Sequence, residues 1–304
     1  MMKKLISLVM LIIMVVGLLS GCTGENKAKD VSKDNGAFDL ENEIVAVTRE
    51  EGSGTRGAFV ELFEIEEKAQ DGTKIDKTTK EAITQMKTDT VLTTVAGNEY
   101  AIGYVSTGSL NDTVKAINID GIAPTVENIK NGSYKIARPF NIATKDNLSE
   151  LAKDFINFIM SSEGQEVVQN NKYIAIEENT SPYSGNKPSG EIVVAGSSSV
   201  TPLMEKLREV YLEINPNGEI EIQQSDSSSG MKAAIDGTAD IGMASRELKD
   251  SESAELKSTA IAIDGIAVIV NNENAVENLT KENIRRIFIG EITKWSEINK
   301  VGII

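Results

Sequence analysis

Histidine is absent from this chain of 304 residues, and cysteine occurs once. This inventory excludes Ser-His-Asp and Cys-His catalysis, histidine-rich zinc sites and structural disulfides. Positive charge is also scarce, because 31 Lys and Arg face 46 Asp and Glu and leave a formal net charge of -15. So acidic a chain does not suit nucleic acid or an anionic membrane surface as its main partner. Any anion that it binds must be captured by local geometry.

Known catalytic motifs are missing as well. The sequence has no Gly-x-Ser-x-Gly elbow, no Lys-Thr-Gly and no Walker-type Gly-Lys-Ser/Thr. With 40% apolar and 25% charged residues, the composition is typical of a soluble globular protein with one large or two medium domains. We therefore predict a binding protein without enzymatic activity, metal or cofactor.

The N-terminus has the pattern of a targeting segment. Lys3 and Lys4 precede an apolar run at 5–19, which is shorter than the roughly twenty residues of a membrane-spanning helix. The run closes on Leu-Ser-Gly-Cys at 19–22, which resembles the bacterial lipoprotein cleavage box. We predict a signal peptide at 1–21, lipid chains such as palmitate on Cys22, and a polar, flexible tether at 22–42. An ordinary signal peptide or a buried core cysteine is the alternative.

Beyond the tether, short apolar runs alternate with helical patterns, which predicts an α/β fold. The predicted strands are 44–47, 101–105, 192–195, 220–223, 241–244 and 266–270, and the predicted helices include 58–68, 149–160, 202–214 and 231–235. The segment 179–190 has two prolines, two glycines and no apolar rhythm. It is predicted to be a linker or a long surface loop.

Residues 49–56, Arg-Glu-Glu-Gly-Ser-Gly-Thr-Arg, are the most informative stretch. They lie between a predicted strand and a predicted helix, where unpaired backbone N–H groups and the positive end of the helix dipole meet. An arginine held by a nearby carboxylate adds the charge that a desolvated oxyanion requires. This stretch predicts an anion site.

Three further turns are rich in hydroxyl groups. They are Gly-Ser-Ser-Ser-Val-Thr-Pro at 196–202, Ser-Asp-Ser-Ser-Ser-Gly at 225–230 and Ala-Ser-Arg at 244–246. Each alone is more typical of a cap or a turn. Open α/β sheets bind ligands outside the carboxyl ends of their strands, so together the turns favour convergence on one anion.

These stretches resemble the phosphate-binding lipoproteins that serve phosphate ABC importers, members of the periplasmic-binding-protein superfamily. The resemblance rests on 49–56, 101–106, 138–140, 155–165, 190–202, 236–246, 262–271, 279–280 and 287–295. It implies a two-lobed, type II-like fold with hinge crossovers, which the family places here at 138–142 and 266–271. It also implies capture of inorganic phosphate in the interlobe cleft, delivery to the permease and ATPase subunits of the importer, and a monomer on the outer face of the cytoplasmic membrane.

The resemblance also assigns a ligand shell. Carried over position by position, the shell consists of Arg49, Ser53, Gly54, Thr55, Ser198, Ser199, Ser227 and Ser245. Glu51 is expected to hold Arg49, or else to be a solvated acid in the first helical turn. Arg56 and Arg246 are expected to form salt bridges rather than to bind the ligand.

Selectivity stays open at this point. Some family members have an aspartate where this chain has Ser245, and such a carboxylate accepts the proton that phosphate carries and sulfate lacks. Asp226 or Asp264 could replace it, although turn-forming roles are favoured for both. The alternative functions are binding of sulfate or molybdate, and a surface phosphate sensor without a transport role.

The order of the segments departs from the family. In the usual member the part resembling 190–304 comes first, which indicates a circular permutation with 179–190 as the joint. One lobe then comprises 43–138 plus 269–304, and the other comprises 139–268. The new ends, 301–304 and 42–44, should lie close together. The alternative is an incomplete or misassembled chain.

Overall fold

The computed structural model describes residues 38–69, 74–176 and 180–300. The predicted signal peptide, Cys22 and the first part of the predicted tether lie outside this range. So do residues 301–304. All described residues belong to the unit Phe38–Ile304.

The helices begin mostly at hydroxyl or acidic caps, which satisfy the free N–H groups of the first turn. They are α1 (Gly54–Leu62), α2 (Thr88–Ala96), α3 (Val126–Lys130), α4 (Glu150–Ile159), α5 (Ser162–Asn170), α6 (Thr201–Ile214), α7 (Ser227–Asp236), α8 (Asp250–Ser253) and α9 (Lys281–Phe288), with 3₁₀ turns at Thr107–Ser109 and Trp295–Lys300. The predicted helices at 149–160, 202–214 and 231–235 are confirmed within a few residues.

The strands include all six that the sequence predicted. They are β1 (Val45–Arg49), β2 (Glu66–Lys68), β3 (Lys74–Asp76), β4 (Ile83–Gln85), β5 (Ala101–Ser106), β6 (Val114–Ala116), β7 (Asn118–Ile119), β8 (Ala137–Thr144), β9 (Gly190–Ser197), β10 (Gly218–Ser225), β11 (Ile241–Ala244), β12 (Lys257–Asn271) and β13 (Asn278–Leu279).

The predicted helix at 58–68 was wrong at its C-terminal end. Helix α1 stops at Leu62, and Glu64 then has a positive φ of 56°. A non-glycine residue in that conformation cannot continue a right-handed helix. The chain instead forms β2, which pairs antiparallel with β3. The prediction was too long because the apolar spacing expected of the helix continues past Leu62.

One mixed sheet joins two parallel sets of strands. In the described residues its order is β10-β9-β11-β8-β12-β5-β1-β4, with β6 beside β12. The strands β10, β9 and β11 are mutually parallel, as are β5, β1 and β4. The antiparallel strands β8 and β12 connect the two sets. Each parallel set therefore directs the carboxyl ends of its strands to one edge.

The long strand β12 passes from one hydrophobic core to the other. Its first part pairs with β8, and its second part, from Ile266 to Val270, pairs with β5. Ile261 and Ala262 belong to a core around Phe140, whereas Ile266 and Val268 belong to a core around Phe59. The sequence predicted only the second part of this strand, 266–270.

A buried ion pair lies where β8 and β12 run side by side. Asp264 is opposite Arg138 in the strand register, and Arg138 Nη2 donates to Asp264 Oδ2 at 3.2 Å. The hydroxyls of Ser106 and Thr107 donate to the other carboxylate oxygen at 2.8 and 3.1 Å. Both charged side chains are almost fully buried. The pair thus links the end of β5 to both crossing strands.

The segment after residue 179 has no helix or strand until β9, as predicted for a linker. It is nevertheless held to α4 and α6: Tyr183 OH donates to Asp154 Oδ2 at 2.6 Å, and the amide of Asn186 donates to Oδ1 at 3.0 Å. The Asn215 side chain donates to the carbonyl of Pro188 at 2.9 Å. This loop is therefore anchored over most of its length.

The two ends of the described unit pair with each other. The amide of Ile44 donates to the carbonyl of Thr293 at 2.7 Å, and the amide of Ser296 donates to the carbonyl of Leu40 at 2.7 Å. Glu43 and Lys294 form an antiparallel bridge. The prediction that 301–304 lies near 42–44 falls outside the described residues.

Candidate functional site

The candidate site lies at the carboxyl ends of the strands. Strand β1 leads through a short turn into α1, and β10 leads directly into α7. Strand β9 continues through a Ser-Ser turn into α6, and β4 leads into α2. The first N–H groups of each helix lack intrahelical partners and carry the positive end of the dipole. Such ends favour an anion.

Arg49 supplies the positive charge of the site. It is the last residue of β1 and is 2% exposed. Its Nε and Nη2 donate to the two carboxylate oxygens of Glu50 at 2.8 and 2.7 Å. The expected partner Glu51 is exposed instead. The prediction for Glu51 was therefore wrong by one residue, because the turn after β1 directs Glu50 back toward the guanidinium.

Tyr104 holds the backbone of Arg49 from the neighbouring strand. Its hydroxyl accepts from the amide of Arg49 at 3.2 Å and lies 2.8 Å from the hydroxyl of Thr48. The ring stacks on Phe59 of α1, with 3.8 Å between centroids. Burial raises the pKa of the Tyr104 phenol, which keeps it neutral. The backbone of Arg49 is thus held in place by a buried side chain of the neighbouring strand.

Side chains from the two halves of the sheet meet at this point. Arg49 Nη2 donates to Ser198 Oγ at 3.1 Å, although 149 residues separate them in the chain. The hydroxyls of Thr55 and Ser199 are 2.7 Å apart. Thr88 Oγ1 accepts from Arg49 Nη1 at 3.3 Å and lies 3.2 Å from Ser199 Oγ. All five side chains are at most 3% exposed.

Ser245 and Ser227 form the next part of the cluster. Ser197 Oγ donates to Ser245 Oγ at 2.9 Å, and the Ser245 oxygen lies 3.5 Å from Thr55 Oγ1. The amide of Ser245 donates to Ser227 Oγ at 3.2 Å. Ser227 and Ser245 are fully buried. Because Ser227 Oγ accepts that amide bond, its own proton remains free to donate.

The first turn of α1 approaches this cluster closely. Ser53 is the N-cap, and its hydroxyl accepts from the amide of Arg56 at 3.3 Å. A Cβ added to Gly54 would lie 2.8 Å from Ser245 Oγ and closer still to Ser227 Oγ. Only glycine permits this approach. The first turn of α1 therefore packs directly against the serines of the other half.

The structure thus brings together seven residues of the predicted shell, Arg49, Gly54, Thr55, Ser198, Ser199, Ser227 and Ser245. Ser53 precedes Gly54 and uses its hydroxyl to cap α1. Sequence reasoning missed Glu50, Thr88 and Ser197. Ser197 and Glu50 stood inside the quoted motifs. Thr88 follows a strand of three mostly exposed residues, and its only sequence signal was a hydroxyl ahead of the helical spacing of Val91, Leu92 and Val95.

The carboxylates of both aspartates proposed as proton acceptors are engaged by groups outside this cluster. Asp226 caps α7, accepting from the amide and hydroxyl of Ser229 at 2.9 and 2.6 Å. Burial acts to raise the pKa of Asp226, but these hydrogen bonds lower it below its usual range. Asp264 lies inside β12 and not in a strand-end turn, and it is engaged by Arg138.

The other two arginines near the site have their own partners. Arg56 Nε donates to Asp76 at 2.8 Å, and its Nη1 donates to the carbonyl of Arg49 at 2.8 Å. Arg246 forms a two-point ion pair with Glu252 at 2.7 and 2.9 Å. Both therefore serve as salt-bridge partners. Arg246 Nη2 also donates to Ser228 Oγ at 3.2 Å, whereas Arg49 is the arginine that contacts Ser198.

The described residues contain no group of three or more Cys, Asp or Glu side chains arranged to hold a metal ion. Within the same residues, no helix combines the length and the apolar character needed to cross a bilayer.

Comparison with known proteins places the chain in a family. A model of the PBP superfamily domain matches residues 32–163 and 181–303. Phosphate-binding protein PstS 2 of Streptococcus agalactiae serotype V is 50% identical over 290 residues, 95% of each chain. Its counterpart in Streptococcus pneumoniae serotype 4 is 43% identical over 296 residues, 97% of this chain and 99% of that protein.

A solved structure agrees. The crystal structure of a phosphate ABC transporter, phosphate-binding protein from Streptococcus pneumoniae TIGR4 is 46% identical, with a TM-score of 0.68 over 84% of this chain and 100% of that chain. The chain belongs to the periplasmic-binding-protein (PBP) superfamily, whose two-lobed α/β fold it adopts. Within that superfamily its relatives are the PstS phosphate-binding proteins.

Proposed function

We propose that the protein captures inorganic phosphate in the cleft between its lobes and delivers it to an ABC importer outside the cytoplasm. The names of its relatives support a binding protein of phosphate transport, not an enzyme. The observation that carries the proposal is the meeting of Arg49 with Ser198 across the chain, at 3.1 Å.

The chemistry of the cluster suits a small tetrahedral oxyanion. Its polar groups are hydroxyls, first-turn amides and one guanidinium, and all of them can donate hydrogen bonds. Burial lowers the local dielectric and strengthens each of these bonds. The Glu50 carboxylate neutralises the charge of Arg49 and leaves free of Glu50 the edge of the guanidinium that contacts Ser198 and Thr88.

Titration calorimetry of the tag-free protein from Thr23 onward should show saturable phosphate binding. Arg49→Ala should abolish it while the fold remains, because a desolvated dianion without a countercharge is costly. Arg208→Ala, on α6 and outside the cluster, is the matched control. Unchanged affinity of the Arg49 variant would remove this arginine from the site.

Selectivity depends on Ser245. The less favoured option of a proton-accepting carboxylate at Asp226 or Asp264 gains no support, since each is engaged elsewhere. A serine hydroxyl can accept a hydrogen bond from protonated phosphate as well as donate one, so phosphate fits, but rejection of sulfate is weaker than with aspartate. Competition by sulfate and molybdate in the same calorimetric assay measures this. Tighter binding of either would favour the alternative function.

We further propose that the lobes comprise 43–138 plus 269–304, and 139–268. Supporting this division, the cores around Phe59 and Phe140 draw on the two sets of residues, and β12 contributes to both. Lobes joined by crossing strands can close as a hinge. Small-angle X-ray scattering should then give a smaller radius of gyration with phosphate. The same measurement reports whether the protein is the expected monomer.

The circular permutation is a separate proposal. It is supported by the pairing of Ile44 with Thr293 and by the anchored loop before β9, which would be the joint. A chain beginning at Gly190, running to Lys300 and continuing from Phe38 to Ile176 should fold and bind phosphate. Failure of that chain to fold would contradict the proposal.

Lipid attachment at Cys22 and docking on the permease and ATPase subunits complete the proposed role. Palmitate labelling that Cys22→Ala abolishes, together with release of the protein from the outer face of the cytoplasmic membrane, would support the anchor. A transport assay with the membrane subunits tests delivery. Tight binding without uptake would favour the sensor alternative.

A further inference from the structure

We propose that Thr88 is a further residue of the ligand shell and donates a hydrogen bond to the bound anion. This inference rests on the proposed function and extends it by one residue. Thr88 belongs to none of the motifs that carry the family resemblance. It is nevertheless 3% exposed and contacts Arg49, Ser198 and Ser199.

The contacts of Thr88 carry the inference. Its hydroxyl accepts from Arg49 Nη1 at 3.3 Å and lies 3.4 Å from Ser198 Oγ and 3.2 Å from Ser199 Oγ. These partners come from both halves of the sheet. An anion oxygen that accepts from Arg49 and Ser199 is therefore within reach of the Thr88 hydroxyl as well.

The fold places Thr88 there through the parallel pairing of β4 with β1. Arg49 is opposite Gln85 in the register, and the amide of Glu50 donates to the carbonyl of Gln85 at 3.2 Å. Strand β4 therefore ends at the same edge as β1. The chain turns directly into α2, whose first residue is Thr88.

The chemistry of Thr88 matches that of its neighbours. Its oxygen accepts from Arg49 Nη1, so its proton can be donated to Ser198, to Ser199 or, in the bound state, to an anion. The first-turn amides of α2 add the positive end of a nine-residue helix. Asp89, the next residue, is exposed. Thr88 thus orients the guanidinium on one side and binds the ligand on the other.

Thr88→Val removes the hydroxyl and keeps the shape, so phosphate affinity should fall roughly 10- to 100-fold because a buried donor is lost. Thr88→Ser should restore most of the affinity. Thr93→Val is the matched control on the same helix, since its exposed hydroxyl donates only to the carbonyl of Asp89 at 2.9 Å. The free energy of unfolding without phosphate should change much less than the affinity.

A crystal structure with phosphate separates direct contact from mere support of Arg49. Direct binding places Thr88 Oγ1 about 2.5–3.0 Å from a phosphate oxygen. Normal affinity of Thr88→Val, or a hydroxyl turned away from the bound phosphate, would overturn the inference. If the wild-type protein bound no phosphate, the proposed function itself would fail.

Discussion

Arg49 and Glu50 are adjacent in the chain and form a two-point ion pair, with N–O distances of 2.8 and 2.7 Å. Successive residues of a strand point to opposite faces, so a pair of this kind requires the strand to end between them. Strand β1 does end at Arg49. The site therefore carries its own countercharge on the same turn, and Arg49 is not a lone charge in the protein interior.

The first prediction concerns that countercharge. Glu50→Gln should lower the free energy of unfolding by about 3–5 kcal/mol, because it leaves a buried guanidinium without its partner. Phosphate should then stabilise this variant more than the wild type, since the dianion replaces the missing charge. Urea denaturation with and without phosphate, followed by the fluorescence of Trp295, measures both effects.

Glu51→Gln is the control for this experiment. Its side chain is exposed, so its stability should stay within about 0.5 kcal/mol of the wild type. A larger loss with Glu51→Gln than with Glu50→Gln would return the supporting role to Glu51, as the sequence suggested.

The second prediction concerns the close approach of the halves. Gly54→Ala should weaken phosphate binding about 5- to 150-fold, because the new methyl group would overlap the hydroxyls of Ser227 and Ser245. The fold itself should be preserved, since alanine favours a helix. Calorimetry measures the affinity, and small-angle scattering should show less closure.

Gly57→Ala, one turn later in α1, is the matched control. Its added Cβ would lie 3.7 Å from Arg246 Cδ, an ordinary contact. It should bind phosphate normally and gain up to about 1 kcal/mol in stability. Equal affinities of the two alanine variants would mean that α1 does not pack on the serines in the bound state.

The sequence predicted well the parts of the site that follow buried strands, and it missed the part that follows the mostly exposed strand β4. The apolar runs before residues 49, 196 and 244 are buried strands, and such runs are readable from composition alone. Strand β4 has two exposed residues and one half-buried one, so it carries no apolar period. Thr88 was invisible for that reason, because its position depends on the pairing of β4 with β1.

Orientation within a motif was equally hidden. Glu50 and Glu51 are the same residue type in adjacent positions, and only the geometry of the turn decides which of them reaches Arg49. Asp264 shows a similar limit, because an Asp-Gly pair predicts a turn whereas β12 runs through it. The partner Arg138 lies 126 residues away, and only the strand register brings the two together.

The third prediction concerns that pair. Asp264→Asn should lower the free energy of unfolding by about 3–5 kcal/mol, because it leaves Arg138 charged and buried. The double variant Arg138→Met, Asp264→Asn should recover most of the loss, since it removes both charges and keeps the side-chain sizes close to the original ones. Urea denaturation measures each value. If the double variant is no more stable than the single one, the loss comes from the hydroxyls of Ser106 and Thr107, which lack their carboxylate acceptor, and not from the unpaired charge of Arg138.

The last prediction concerns acid stability and the ion pair between Glu252 and Arg246. Burial acts to raise the pKa of Glu252, but hydrogen bonds from Arg246 and from the amide of Lys249 lower it below the ordinary value of 4.5. A carboxyl whose pKa is lowered in the folded state stabilises the protein at pH values above the pKa of the unfolded carboxyl. That contribution disappears as the pH falls through the folded-state pKa.

Glu252→Gln should therefore reduce the free energy of unfolding by about 1.5–3 kcal/mol at neutral pH, as expected for hydrogen bonds to a charged group. The difference from the wild type should shrink once the pH falls below 4.5, where the unfolded carboxyl is already protonated. Glu255→Gln, exposed in the same region, should show no such pH dependence. Urea midpoints from pH 7 down to the acid limit of folding measure the trend. If the stability difference between Glu252→Gln and the wild type stayed constant over that range, the effect of Glu252 would be assigned to packing. A difference caused by charged hydrogen bonds must disappear once the carboxyl is protonated.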